Sequence, residues 1–322
     1  MKPKVAILGL VLAALSVVLI EPAAAQPGLT LVRVWGGVGG GPGQFRGPSG
    51  VALDAAGEVY VTDSFNSRVQ VFTHDGVYLS QFGNAGPGAG QFNEPYGIAV
   101  DPDGFVYVVD RGNRRIQKFS STGTFVATWN GADSPQGPLV DPLGIAVELD
   151  GNLLVTDYGL NRVLRFTPDG HYRATFLVPL PFFVAVNASG VPITPGTTPD
   201  EFLVSSGPSA KAFANSGLAL CCSITVTNTV AGVAIDALGN VYLDEPSTNH
   251  VYAWIRGDLL SFGSVGSAPG QFNGPAGLAV DSSGLVFVCD SGNARIQVLK
   301  VEEHPVPAAN ATWGRVKDRY RQ

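Results

Sequence analysis

The sequence has little from which to build a helical, membrane-spanning or nucleic-acid-binding protein. It contains one Met, only 14% charged residues and no basic stripe, and its formal net charge is −6. A chain of this charge is a poor partner for nucleic acid. Few charged runs leave little material for extensive amphipathic helix. Cys221, Cys222 and Cys289 are too few for a disulfide framework. Cys221 and Cys222 are adjacent, so their Cα atoms lie about 3.8 Å apart, closer than a relaxed disulfide allows. Buried thiols are expected there, with a strained vicinal bridge as the alternative. No Gly-x-Ser-x-Gly, phosphate loop or His-Glu-x-x-His occurs. Beyond residue 20 no segment is long and apolar enough to span a bilayer.

What is present is apolar and rich in turns. Apolar residues are 45% of 322, too many for a disordered chain. Gly (41) and Pro (23) make 64 of 322, or 20%. The usual share is about 12%, so many tight turns are expected. At the start, Lys2 and Lys4 precede an apolar run over residues 5–20, and Ala23 and Ala25 sit at −3 and −1 to Gln26. Residues 1–25 are therefore read as a signal peptide, and the chain is expected to be exported, periplasmic or secreted.

The organising signal is an internal repeat. An acidic or Asn residue, then x-x-Gly, follows a short apolar segment at residues 54, 101, 148, 187, 236 and 281, with spacings of 47, 47, 39, 49 and 45. A period near 45 in a strand-rich chain predicts propeller blades of four strands each. In one unit, residues 50–54 and 58–63 form strands around the Asp54–Gly57 turn, and residues 68–72 and 78–82 form the third and fourth. Gly-x-Ala recurs in the first strand of most units, as a crowded axis requires. Gly-Gln-Phe-x-x-Pro-x-Gly recurs between units, and its Phe is expected to wedge between sheets. The fold class read from this is all-β, a six-bladed β-propeller of four-stranded antiparallel blades over residues 29–302.

Closure follows from register. Each fourth strand ends 14 residues before the next inner-strand Gly: Gly83 to Gly97, Asn130 to Gly144, Gly263 to Gly277, and also Gly36 to Gly50. Residues 31–35 therefore read as a fourth strand with no preceding three, supplied to the last blade, with Val32 and Trp35 buried there. Ala311–Thr312–Trp313 is the rival segment. The fourth unit, about 182–226, is degenerate and carries a Pro/Thr-rich insertion at 191–200. Residues 303–322 lie outside the repeat as a basic tail, expected to be mobile.

The segment Pro95-Tyr-Gly-Ile-Ala-Val-Asp-Pro-Asp-Gly-Phe-Val-Tyr-Val-Val-Asp110, followed by Asn113 and Arg115-Ile-Gln-Lys-Phe119, resembles the NHL-repeat family of β-propellers. Residues 48–72, 142–166 and 275–299 repeat it closely; residues 230–254 do so weakly, with one extra residue before His250. The resemblance implies the propeller fold. It leaves function open, since the family includes protein-binding modules, RNA-binding modules and a few enzymes.

Asp63, Asp110, Asp157, Asp244 and Asp290 end second strands, and Arg68, Arg115, Arg162, His250 and Arg295 open the third. Recurrence in every good unit favours a structural brace over a ring of metal ligands. His74, His171, His250 and His304 lie in separate turns or beyond the repeat, so no metal site or other cofactor is expected. The His-rich centre of the family's amidating-lyase relatives is not matched. Loops entering the first strand and leaving the second share one face, where the repeats differ at Arg46, Glu94, Tyr96, Arg111, Tyr158 and Glu245. These residues are the expected ligand-binding set, and a solvated variable surface is the alternative. The expected function is an interaction module for a protein, peptide or envelope glycan, acting as a monomer. The alternative is a metal-dependent lyase or lactone hydrolase at the central channel.

Overall fold

The computed structural model describes residues 28–187, 201–214, 219–255 and 257–302, without the side chains of 201 and 219–222. The leader, the insertion at 191–200, the Cys221–Cys222 pair's side chains, His304, Ala311–Trp313 and the basic tail lie outside these residues.

Six four-stranded antiparallel sheets form the blades of a β-propeller. Blade 1 runs Pro48–Leu53, Val59–Asp63, Arg68–Phe72 and Tyr78–Phe82, from the inner strand outward. Blade 2 runs Pro95–Val100, Val106–Asp110, Arg115–Phe119 and Phe125–Trp129. Blade 3 is Pro142–Val147, Leu153–Asp157, Arg162–Phe166 and Tyr172–Leu177. The degenerate blade 4 is complete: Pro181–Val186, Glu201–Ser206, Ser209–Ala214 and Ala219–Thr225. Blade 5 comprises Val233–Ile235, Val241–Glu245, His250–Ile255 and Asp258–Phe262.

Blade 6 takes Pro275–Val280, Leu285–Asp290 and Arg295–Glu302 from one end of the repeat and Gly28–Gly36 from the other. The closing pairing runs antiparallel from Gly28 opposite Glu302 to Gly36 opposite Arg295. A bulge between Leu31 and Arg33 re-aims the strand, so Val32 is 45% exposed and not buried as the alternation predicts. Leu29 is the buried anchor instead, and Trp35 packs edge-on against Phe287 at 5.9 Å and beside Phe72 at 6.4 Å. Blade 6 then clamps blade 1. Arg33 pairs with Asp75 at 2.8 Å and donates to the His74 carbonyl at 2.9 Å, and His74 Nε2 meets Asp281 at 2.8 Å.

The recurring residues have separate mechanical tasks. Asp54 Oδ1 accepts from the N–H groups of Ala56 and Glu58 at 2.9 Å, and Gly57 takes φ +83° to close that turn. Phe45, Phe92 and Phe272 are fully buried between sheets, with Leu139 in the same role before blade 3. Gly83 must lack a Cβ because one would fall 2.3 Å from the Phe92 ring, and its φ is +86°. At the axis, a Cβ on Gly50 would lie 2.3 Å from the Tyr96 carbonyl of the next blade.

The closing strand should dominate ring stability. Removing Gly28–Gly36 strips burial from Leu29 and Trp35, at about 1.5–3 kcal/mol per large apolar side chain. It also bares the edge of Arg295–Glu302 to intermolecular pairing. The expected outcome is a large fall in the thermal unfolding midpoint with light-scattering aggregates; an unchanged midpoint would contradict this role.

Candidate functional site

A buried carboxylate ends the second strand of each regular blade. Asp110 is typical. Its Oδ1 accepts the Asn93 N–H at 2.8 Å, while Oδ2 accepts from Asn113 Nδ2, Arg115 Nε and Gln117 Nε2 at 2.8, 2.7 and 3.0 Å. Arg115 and Gln117 then donate to the Gln91 carbonyl in the interblade loop, at 2.9 and 2.7 Å. The same arrangement holds Asp63 with Arg68 and Gln70, and Asp290 with Arg295 and Gln297. Asp157 pairs with Arg162 at 2.9 Å with both side chains essentially inaccessible. Each carboxylate's lone pairs are directed at protein donors, as a structural brace requires.

Blade 5 departs from the expected pairing. Asp244 does not occupy the brace position; Glu245 does. Glu245 stands opposite His250 as Asp63 stands opposite Arg68, and both loops between those residues span four positions, so blade 5 has no extra residue before His250. Glu245 is fully buried and accepts from Thr248, Tyr252 and Thr227 at 2.6, 2.8 and 3.1 Å. Burial alone would push its pKa up, but hydrogen bonds from Thr248, Tyr252, Asn228 and Thr227 outweigh burial and hold it below the usual range. The His250 side chain takes no part in these bonds, and its buried Nδ1 has no partner among the described residues. Glu245 is therefore a brace residue, not an exposed loop residue, because adjacent acids at 244 and 245 made the register ambiguous in sequence.

Three of the candidate residues come together on the loop-bearing face of blades 2 to 4. Tyr96, half-buried on the inner strand of blade 2, meets Phe183 of blade 4 with ring centroids 5.7 Å apart. Arg111 stacks its guanidinium 5.6 Å from the Tyr96 ring centre and donates to both carboxylate oxygens of Asp141, at 2.7 and 3.3 Å. Tyr158 packs at 5.1 Å on Phe182. Glu94 is exposed, with φ +52°, and lies near enough to Arg111 to favour its charged form. Arg46 is exposed in the loop between blades 6 and 1, where its backbone N–H serves the Asp63 brace. Asp141, Phe182 and Phe183 complete the cluster but were not singled out in sequence. Asp141 stands where blade 2 carries Glu94, but its pairing with Arg111 runs between blades and leaves no spacing signal, and Phe182 and Phe183 lie in the unit where the repeat is weakest.

Register shows what is special about these positions. Tyr96 and Phe182 stand where blades 1, 5 and 6 carry Ser49, Ala231 and Ala276. Arg111 and Tyr158 stand where blades 1 and 6 carry Ser64 and Ser291, whose hydroxyls donate to the Pro95 and Pro48 carbonyls of the neighbouring blade. Blades 2 and 3 replace that small clamp with large, half-exposed side chains.

Burial pushes the Tyr96 phenol up to about 12, helped by the nearby Asp244 carboxyl and opposed by Arg111. Tyr96 is thus a neutral hydrogen-bond donor at physiological pH. Burial, then Asp244 and Asp290, keeps the Cys289 thiol protonated. Among the described residues no group of three or more His, Cys, Asp or Glu side chains is placed to hold a metal ion, and His74, His171 and His250 do not converge.

Residues 49–141 match a family model described as a 6-bladed beta-propeller, and residues 272–299 match the NHL repeat. The chain thus carries the NHL-type repeat in a six-bladed propeller, as the sequence resemblance implies. No curated protein matches it. Among solved structures, virginiamycin B lyase from Staphylococcus aureus is 14% identical, with TM-score 0.58, covering 85% of this chain and 100% of that one. A gluconolactonase from Xanthomonas campestris is 18% identical, with TM-score 0.61, covering 81% and 88%. A Bacteroides thetaiotaomicron protein of unknown function is 15% identical, with TM-score 0.65, covering 86% and 76%. At these identities the likeness is one of fold.

The brace makes a direct prediction. Asp157→Ala leaves Arg162 buried without its carboxylate, and breaking such a pair costs about 3–5 kcal/mol. Chemical denaturation should show that loss with an unchanged denaturant slope. A loss below about 1 kcal/mol would mean that the pair behaves like an exposed one.

Proposed function

We propose that this protein is an exported propeller that acts as an interaction module, binding a protein, peptide or envelope glycan on the loop-bearing face of blades 2 to 4. The observation that carries the reading is the replacement of small, blade-clamping residues by Tyr96, Arg111, Tyr158 and Phe182 in one sector of an otherwise regular ring. Half-exposed aromatic rings beside an ion pair, held on a rigid scaffold, suit recognition: Tyr and Arg are common anchors of binding energy. The leader-like residues 1–25 support export. No helix among the described residues is long and apolar enough to cross a membrane.

A second reading, a metal-dependent lyase or lactone hydrolase acting at the axis, draws on the fold shared with a virginiamycin B lyase and a gluconolactonase. Among the described residues no set of His, Cys, Asp or Glu side chains is placed to hold the metal that this reading needs. Streptogramin or lactone turnover abolished by a chelator would favour this reading.

The binding reading is tested by capturing a partner from envelope or secreted material with the purified protein and titrating that partner. Arg111→Ala combined with Tyr158→Ala should weaken binding at least tenfold, since anchors of this kind contribute about 2 kcal/mol or more each. The unfolding midpoint should move by only a few degrees, because both side chains are half-exposed. Unaltered affinity would refute this face. Tyr96 is a poorer probe, because its contact with Phe183 mixes binding with stability.

A further inference from the structure

The second strands carry a repeated polar contact at the residue preceding the brace. Thr62, Thr156 and Ser205 accept the inner-strand N–H of their own blade, from Gly50, Gly144 and Phe183, at 2.7, 2.7 and 2.8 Å. Each hydroxyl also donates to a main-chain carbonyl of the next blade: Tyr96, Phe182 and Ala231, at 2.6, 2.6 and 2.5 Å. A single O–H thereby ties two blades at the axis. Blades 2 and 6 place Val109 and Cys289 there, and blade 5 places Asp244.

We propose that Asp244 is held in the native ring as the neutral acid and donates its carboxyl O–H to the Ala276 carbonyl, joining blade 5 to blade 6 as the hydroxyls join their blades. Asp244 Oδ1 accepts the Gly232 N–H at 3.0 Å, reproducing the first half of the contact. Oδ2 is then left where the hydroxyls donate, and by register the carbonyl it faces is that of Ala276. Asp244 is fully buried, and Oδ2 has no partner among the described residues. Oδ2 also sits between the two inner strands: a Cβ on Gly232 would lie 2.2 Å from it and 3.2 Å from Gly277 Cα. A bare carboxylate oxygen facing a carbonyl would be repelled, whereas a carboxylic acid supplies the missing donor.

The surrounding groups favour the same state. Tyr96 of blade 2 and Cys289 of blade 6 lie in its field, both uncharged, and among the described residues no cation offsets its burial. Burial pushes the carboxyl up to about 7, opposed only by the Gly232 N–H. In the unfolded chain an Asp titrates near about 3.9. The native state is therefore favoured fully below the unfolded value and loses that advantage as pH rises through the folded one.

The test compares the wild-type chain with Asp244→Asn, whose amide N–H can donate to the same carbonyl without ionising. Between about pH 4 and 7 the folded-to-unfolded ratio of the wild type should fall relative to the variant by up to about a thousandfold, then run parallel above that range. Parallel profiles throughout would overturn the proposal. Carbon-13 NMR of Asp-labelled wild-type protein provides a readout that needs no variant. An Asp carboxyl resonance still in the neutral-acid position at about pH 6 is expected, two units above the ordinary value. Full ionisation of every Asp at that pH would overturn the proposal.

Discussion

The buried carboxylate that ends the second strand in five of the six blades is the contact on which the rest of the ring depends. It gathers donors from its own third strand and from the loop that arrives from the preceding blade, so one side chain sets both sheet edge and interblade crossing. The recognition face inherits its geometry from this. Asp110 holds the Asn93 N–H, three residues ahead of Tyr96, and Asp157 holds the Val140 and Asp141 N–H groups at 3.2 and 2.9 Å. Asp141 is therefore delivered to Arg111 by the brace of its own blade. A buried ion pair is weak grounds for stability by itself, because desolvation offsets attraction. Here the carboxylate also saturates backbone donors that would otherwise lie buried and unpaired.

Regularity makes the exceptions readable. Small residues at the axis and Ser clamps between blades occur together in blades 1 and 6. Blades 2 to 4 replace them with rings and an ion pair. The same sector also carries exposed apolar side chains, as the rest of the ring does: Val140, Leu160 and Leu180 are 39–46% exposed and Leu177 is 80% exposed. The blade 3 to blade 4 connection, Val178 to Leu180, is too short to carry the Gly-Gln-Phe loop that covers three of the other junctions.

Most of the architecture was legible in the chain, because a structural task repeated in each blade leaves the same residues at the same spacing. The Asp-x-x-Gly turns, the Phe wedges and the closing strand were found this way. Three features were not. Val32 followed the alternation of its strand, but a bulge, which has no side-chain signature, turned it outward. In Asp244-Glu245, two adjacent acids offered two registers, and only the pairing of Glu245 with His250 separates brace from axis. Phe182, Phe183 and Asp141 belong to the site through contacts between blades, and spacing within one blade carries no information about them.

The ring is closed by strands about 270 residues apart, as Thr30 opposite Lys300 illustrates, while pairings inside blades 1 to 5 are local. The entropy lost in closing so long a loop must be met before Gly28–Gly36 gains its partner. Hairpins and whole blades can form as the chain emerges, each from near neighbours in sequence. Gly28–Gly36 must wait until the last strand exists. Assembly of this propeller therefore has an order built into its topology: local blades early, and the ring itself late, in one step that recruits both ends of the repeat at once.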